Sequence, residues 1–219
     1  YAIFPVTSLI GDVYKDVFPQ TAEGDVLDAN FGAMEGLLRK PASKSTGKIA
    51  VFDSIGTNIP VFTKYNTSDG VEVETVLAGT VAIQVTTIAS VVNNDGVVTF
   101  TAGLVPHNIP KGSLSTISIG NPLVDGVREI VGVSQSTFSI VIDSITPISG
   151  TGTATANYAV IQSQTVSDGA DSQVEGSIEL QGDNEAYALF SGLSGGADKE
   201  SDTSYKARII KTRGALEGV

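Results

Sequence analysis

Asn93-Asn94-Asp95-Gly96-Val97-Val98-Thr99-Phe100-Thr101 decides the fold class. Asn, Asp and Gly tolerate the positive φ that a tight two-stranded turn demands, so this stretch predicts a β-hairpin with Val97–Thr101 as its returning strand. Working outward, short runs rich in Val, Ile, Thr and aromatics repeat on both sides. Gly47–Phe52, Ile59–Tyr65, Val71–Leu77 and Thr80–Ile88 precede it; Leu114–Ile119, Val127–Val133, Phe138–Ile142 and Thr153–Ile161 follow. Turn signals such as Ser68-Asp69-Gly70 punctuate them, a spacing that suits small sandwiches or barrels and not βαβ units.

The two ends have a different texture. Leu27, Phe31, Met34 and Leu38 recur at spacings of four, three and four, which predicts one face of a helix begun by a Thr21 cap and ended by Pro41. Gly24, Gly32 and Gly36 weaken that helix by up to ~1 kcal/mol each, and suit close approach to a neighbour. A second helical pattern covers Asp198–Arg213, acidic at its start (Asp198, Glu200, Asp202) and basic at its end (Lys206, Arg208, Lys211, Arg213), an order that fits the helix dipole and reads as a solvated helix. The expected class is therefore mainly β with flanking helices (α+β), built of small β-sandwich or barrel-like domains with one inserted in the other. Residues 1–42 form an N-terminal helical segment, 43–89 with 162–190 a β-rich domain, and 90–161 an inserted β domain. Residues 191–219 begin a C-terminal helical region. A chain opening on Tyr1 and stopping at Val219 just after that region is expected to be part of a longer protein.

Composition narrows the function. With 41% hydrophobic and 17% charged residues and a mean hydropathy of +0.16, the 219 residues support a buried core, while no apolar run reaches the length of a membrane-spanning helix. A net charge of −11 opposes phosphate backbones, so neither nucleic acid nor membrane is an expected partner. The absence of cysteine removes disulfides and thiolate metal sites.

Catalytic groups are scarce. His107 is the single histidine, lies in a loop between strands, and has no G-x-S-x-G serine to serve; it reads as structural. Asp168, Asp171 and Glu175 would offer oxygen ligands to calcium but lack the spacing of an EF-hand loop and read as turn formers. Gly192–Gly196 has no following Lys-Ser/Thr for a phosphate loop. With no Trp and 6% aromatics, a platform for sugars or single strands is poorly supplied. No catalytic residue, cofactor, metal or small-molecule substrate is expected.

Two separated stretches carry a resemblance. The first runs Thr21-Ala22-Glu23-Gly24-Asp25-Val26-Leu27-Asp28, then Gly36-Leu37-Leu38-Arg39-Lys40-Pro41-Ala42, Gly47-Lys48-Ile49-Ala50-Val51-Phe52, Gly56-Thr57-Asn58-Ile59-Pro60 and Asp69–Thr75. The second is Ser194-Gly195-Gly196-Ala197-Asp198-Lys199-Glu200-Ser201-Asp202 with Tyr205-Lys206-Ala207-Arg208-Ile209. In order and spacing they resemble the baseplate J-like family, the baseplate wedge proteins of contractile-tailed bacteriophages; at Ser172-Gln173 the chain departs from the Gly-Asn of that family's loop. The resemblance implies a structural, non-enzymatic wedge subunit in the tail baseplate of a virion, assembled in the bacterial host cytoplasm. It implies pairing with a second copy and contacts with other tail proteins, through a face that includes Leu27, Phe31, Met34, Leu38, Tyr205 and Ile209. Two other readings compete: a tail adhesin recognising host glycan through the Asn93–Gly96 or Pro106–Gly112 loops, and a cell-wall hydrolase using His107.

Overall fold

The computed structural model describes residues 18–104, 107–174, 179–181 and 185–216. It is mainly β with short helices at either end, and divides into two compact units: residues up to Ser43 together with those from Asp198, and Lys44–Ala197. The helical ends, read from sequence as separate segments, thus belong to one unit. Among the described residues no helix is long and apolar enough to cross a membrane.

In the larger unit, alternation of buried and exposed residues along antiparallel strands closes the sheet twice. β1 (Lys44–Phe52), β2 (Asn58–Ile59), β3 (Lys64–Thr67), β4 (Glu72–Thr75), β5 (Gly79–Thr80), β6 (Ala82–Asn94), β7 (Val97–Ala102), β8 (Leu114–Ser118), β9 (Gly126–Glu129), β10 (Gly132–Val133), β11 (Thr137–Val141), β12 (Gly152–Asp168), β13 (Glu179–Gln181) and β14 (Glu185–Ser194) follow in chain order. The first ring runs β1–β14–β13–β3–β4–β12 and returns to β1 through the register Phe52↔Tyr158 to Thr46↔Gln164. It encloses Ile49, Val51, Tyr65, Val73, Val81, Ile161 and Leu193. The second uses β12 again: β12–β6–β7–β11–β10 on one side and β12–β8–β9 on the other. Its closure comes from residues 126–133, which leave β8 for β11 where Ile130 N–H donates to Ser113 O and Val131 N–H to Ser139 O. Inside lie Val98, Phe100, Ile117, Ile130, Phe138 and Ile140, with Phe100 and Phe138 stacked at 4.9 Å. Burying such side chains is worth roughly 1.5–3 kcal/mol each.

β12 runs unbroken through both barrels, whereas β6 pairs only with β12 and β7. The segment at 90–161 accordingly has a hydrophobic core of its own, from Ile88 to Ala154, but no linker sets it apart. The hairpin is as expected: Asp95 and Gly96 both have positive φ (50° and 88°), and Asn93 pins the turn by accepting from Gly96 N–H and donating to Ser144 O and Thr146 O. The predicted strand Ile59–Tyr65 is instead broken at Phe62, whose φ is 65°, because the chain turns there to deliver its N–H to Thr75 O. Beyond β12, Val174 makes an isolated bridge to Leu193, and residues 175–178 lie outside the described ones.

The N-terminal helix is shorter than predicted. α1 (Gly24–Val26) passes at once into a π-helical stretch, Leu27–Gly32, and the chain has left helical geometry by Gly36, whose φ is 65°. The i→i+5 bonds, Ala33 N–H to Asp28 O and Leu37 N–H to Gly32 O, widen the turn, so the 3.6-residue alignment ends after Phe31. Residues 1–17 of the predicted helical segment lie outside the described residues. α2 (Asp202–Leu216) is capped by Ser201, whose hydroxyl accepts from Ser204 N–H at 3.3 Å.

Candidate assembly site

The terminal unit has a small apolar centre: Ala22, Leu27, Phe31, Tyr205 and Ile209, each at most 6% exposed. Leu27 and Phe31 are one turn apart on one element and Tyr205 and Ile209 one turn apart on α2, so the two pairs face each other. Gly32 makes this possible. A Cβ there would lie 1.6 Å from the Tyr205 hydroxyl, which crosses the glycine to donate to Leu37 O at 2.6 Å.

Around that centre the charges interlock. Arg39, its side chain only 8% exposed, pairs with Asp28 at 2.8 Å and Asp202 at 2.6 Å, donates to Glu200 O, and lies 4.7 Å over the Tyr205 ring. Glu200 accepts from Arg208 Nε and Nη2 and from Lys40 N–H, while Arg208 also donates to Leu38 O. Arg213 pairs with Glu35 at 2.6 Å and sits over Phe31. The bonds from Arg208 and Lys40 hold the Glu200 carboxyl below its ordinary range; those from Gly24 N–H and Arg39 do the same for Asp202. Arg208 and Arg213 are therefore committed to ion pairs, a correction to the solvated basic helix end expected from sequence.

Asp202 also replaces the predicted cap. Its Oδ2 accepts from Gly24 N–H at 2.9 Å, whereas the Thr21 hydroxyl donates to Phe18 O. A carboxylate at a helix start satisfies an orphan amide and complements the local dipole.

The six residues predicted for an intermolecular face are divided by the structure. Leu27, Phe31, Tyr205 and Ile209 are enclosed in the chain's own core, which corrects their placement on an outward face. Met34 and Leu38 stand at 76% and 82% exposure. The residue whose role sequence reading missed is Arg39, quoted there only inside a motif; Gly32 was read as allowing close approach to a neighbour, and that neighbour is Tyr205.

The other candidates are occupied structurally. His107 is buried, accepts from Ile109 N–H at Nδ1 and therefore carries its proton on Nε2, which is shared between Ser134 O and Thr137 O at 2.8 and 3.0 Å. Burial lowers its pKa despite those two carbonyls. Its own carbonyl accepts from Thr86 and from Tyr158, whose phenol burial pushes up to about 12. Asp168 ends β12 opposite Lys44 and Asp171 lies in a 3-10 turn, Ala170–Ser172; Glu175 lies outside the described residues. That turn is fastened from beneath by Ser172, which donates to Gly169 O and contacts Ser45, itself accepting from Gly196 N–H.

No protein-family model matches this chain, and no match is found among curated proteins.

Proposed function

We propose that this chain is a structural, non-enzymatic subunit of a contractile-tail baseplate, a wedge component that pairs with a second copy and binds other tail proteins. One observation carries the reading. The two stretches that resemble baseplate J-like proteins lie about 160 residues apart, and their charged residues meet in one knot: Arg39 on Asp202, Lys40 N–H on Glu200, Gly24 N–H on Asp202. Motifs that read as separate meet in one structural device, and that meeting supports the reading.

The outer surfaces add support. On the second barrel, Val85, Thr155, Thr116 and Val127 stand in one register row, with Val85 and Val127 at 64% and 63% exposure. Ile83 and Leu114 are exposed beside them. Clustered aliphatics outside a barrel whose inside is already filled suit contact with other subunits. Met34 and Leu38 offer a second such surface for self-pairing. The test is mass spectrometry and labelling of purified tail particles, with light scattering of the isolated chain. The chain is expected in the baseplate fraction and as a concentration-dependent dimer that Met34→Glu with Leu38→Glu dissociates. Its absence from tail particles would overturn the reading.

A further inference from the structure

A short strap seats one side chain in the core of the second barrel, beside the chain's single histidine. Ile109-Pro110-Lys111 is bracketed by two residues with left-handed backbone, Asn108 at φ 58° and Gly112 at φ 79°. Asn and Gly adopt that region at least cost, so the chain turns sharply at both ends of the strap. Between them Ile109 is 1% exposed and Pro110 is buried, while Lys111 faces water. The far end is tied to the barrel: Gly112 N–H donates to Ile130 O and the Ser113 hydroxyl to Pro110 O, both at 2.7 Å. The near end hangs on a ring nitrogen, Ile109 N–H donating to His107 Nδ1 at 3.1 Å. Asn108 Oδ1 is buried there without a hydrogen-bond partner, an acceptor that release of the strap would return to water.

The ring can hold Ile109 N–H in one protonation state only. Its Nε2 proton is shared by Ser134 O and Thr137 O, so neutral His107 keeps its lone pair on Nδ1. A second proton goes to Nδ1, where it faces the Ile109 N–H, donor against donor. The two carbonyls still accept from Nε2, and more strongly from a charged ring. Protonation therefore leaves the ring on the β10–β11 turn and lets the strap go. Phe138 of β11 meets the ring edge-on at 5.3 Å. From β6 and β12 come the Thr86 and Tyr158 hydroxyls, both donating to His107 O. Tyr158 is the titratable one of these, and its phenol, pushed up to about 12, stays neutral as the ring titrates. Lys111 is the charged residue on the strap itself.

We propose that Asn108–Gly112 is an acid-released strap: protonation of His107 frees the Ile109 amide, and Ile109 swings out of the second barrel about Asn108 and Gly112. Residues 108–112 belong to no strand, so their release leaves the ladders β6–β7–β11 and β12–β8–β9 in place. While the strap is closed, burial holds the proton off the ring. Once it is open the ring meets water and binds a proton at its ordinary value of about 6.5. Below that pH the open form gains about tenfold for each further unit, until the closed form also takes up the proton. Acid thus makes available an apolar contact that the neutral fold keeps inside. The device does not depend on the tail-subunit reading.

NMR on the full chain provides the test, because the ring signal of a single histidine needs no assignment by mutation. Amide exchange, expressed as protection so that the intrinsic rate cancels, is followed at Ile109, Phe100 and Phe138 as pH is lowered. Protection at Ile109 is expected to fall about tenfold per unit below about 6.5. It should also stay at least about tenfold below that of Phe100 and Phe138, which open only with the strands. His107→Asn keeps an oxygen that accepts from Ile109 N–H, as in an Asx turn, and takes up no proton, so the pH dependence at Ile109 should vanish. Its persistence in that variant overturns the proposal. So does Ile109 protection equal to that of the two strand amides, which means that the barrel opens as a whole. If the variant does not fold, the parent decides: protection at Ile109 that stays flat while the ring signal titrates overturns the proposal equally.

Discussion

The barrels and the terminal unit solve the same problem by opposite means. Each barrel fills its interior with aliphatic and aromatic side chains, and its strand ladder curls back on itself. Among the described residues the terminal unit buries far fewer apolar groups and surrounds them with four ion pairs, those of Arg39 with Asp28 and Asp202, Arg208 with Glu200, and Arg213 with Glu35. The difference is one of tolerance. A barrel core loses stability in proportion to the volume removed, whereas the terminal unit depends on a few geometries that one atom can spoil.

Removing volume from the second barrel should have the largest effect. Phe100 is fully buried against Phe138, so Phe100→Ala is expected to cost about 3–5 kcal/mol, visible as a lowered denaturant midpoint for the β unit. In the terminal unit a single methyl should do nearly as much. Gly32→Ala drives a Cβ into the Tyr205 hydroxyl and is expected to cost about 3 kcal/mol, the upper end for overpacking, because Leu37 O stands 2.8 Å from the added Cβ and the hydroxyl is tied to that same carbonyl. Amide exchange should localise that loss to the terminal unit and leave β6 and β12 protected. A uniform loss across both units would break the contrast. Arg39→Met comes next, at about 2 kcal/mol. It strands two carboxylates, but these keep about a third of their surface in water, which holds the cost below that of a fully buried pair.

How far the sequence carried this picture follows from the same contrast. The hairpin at Asn93–Gly96 and most strand positions were legible because local residue chemistry dictates them. β12 was read as Thr153–Ile161 but runs to Asp168, since its inward positions there are Ser163 and Thr165, both fully buried, and hydrophobic alternation is lost. Those hydroxyls are satisfied locally, Ser163 on Ile161 O and Thr165 on Ser167 O, which no periodicity reports. Barrel closure and the knot around Arg39 both rest on partners remote in sequence. The apolar pairs Leu27/Phe31 and Tyr205/Ile209 were visible; that each is the other's partner was not.

Acid should separate the two constructions by pH. The His107 pKa is lowered in the fold, so the unfolded chain binds its proton first as pH falls. Stability of the second barrel is full above about 6.5, the ordinary value, and declines below it toward the folded value. Asp202 and Glu200 are also lowered, from ordinary values of 3.8 and 4.5. The terminal unit therefore keeps its contribution down to about that range and loses it as pH falls further. Amide exchange at stepped pH should show the second barrel loosening first. Loss in the reverse order would place the weak group elsewhere.

The smallest effect sharpens the comparison most. If Thr21 capped the first helix, Thr21→Ala would cost about 1 kcal/mol. Its hydroxyl instead donates to Phe18 O at an exposed turn, and the Gly24 amide is held by Asp202. Thr21→Ala should therefore fall within about 0.5 kcal/mol of the parent. Asp202→Asn should lower the terminal unit's stability measurably and make it less sensitive to acid, because the charge that caps Gly24 also pairs with Arg39. The helix start is then governed by a residue 178 positions away in sequence. Equal losses for the two variants would return the cap to Thr21 and reduce Asp202 to a surface charge.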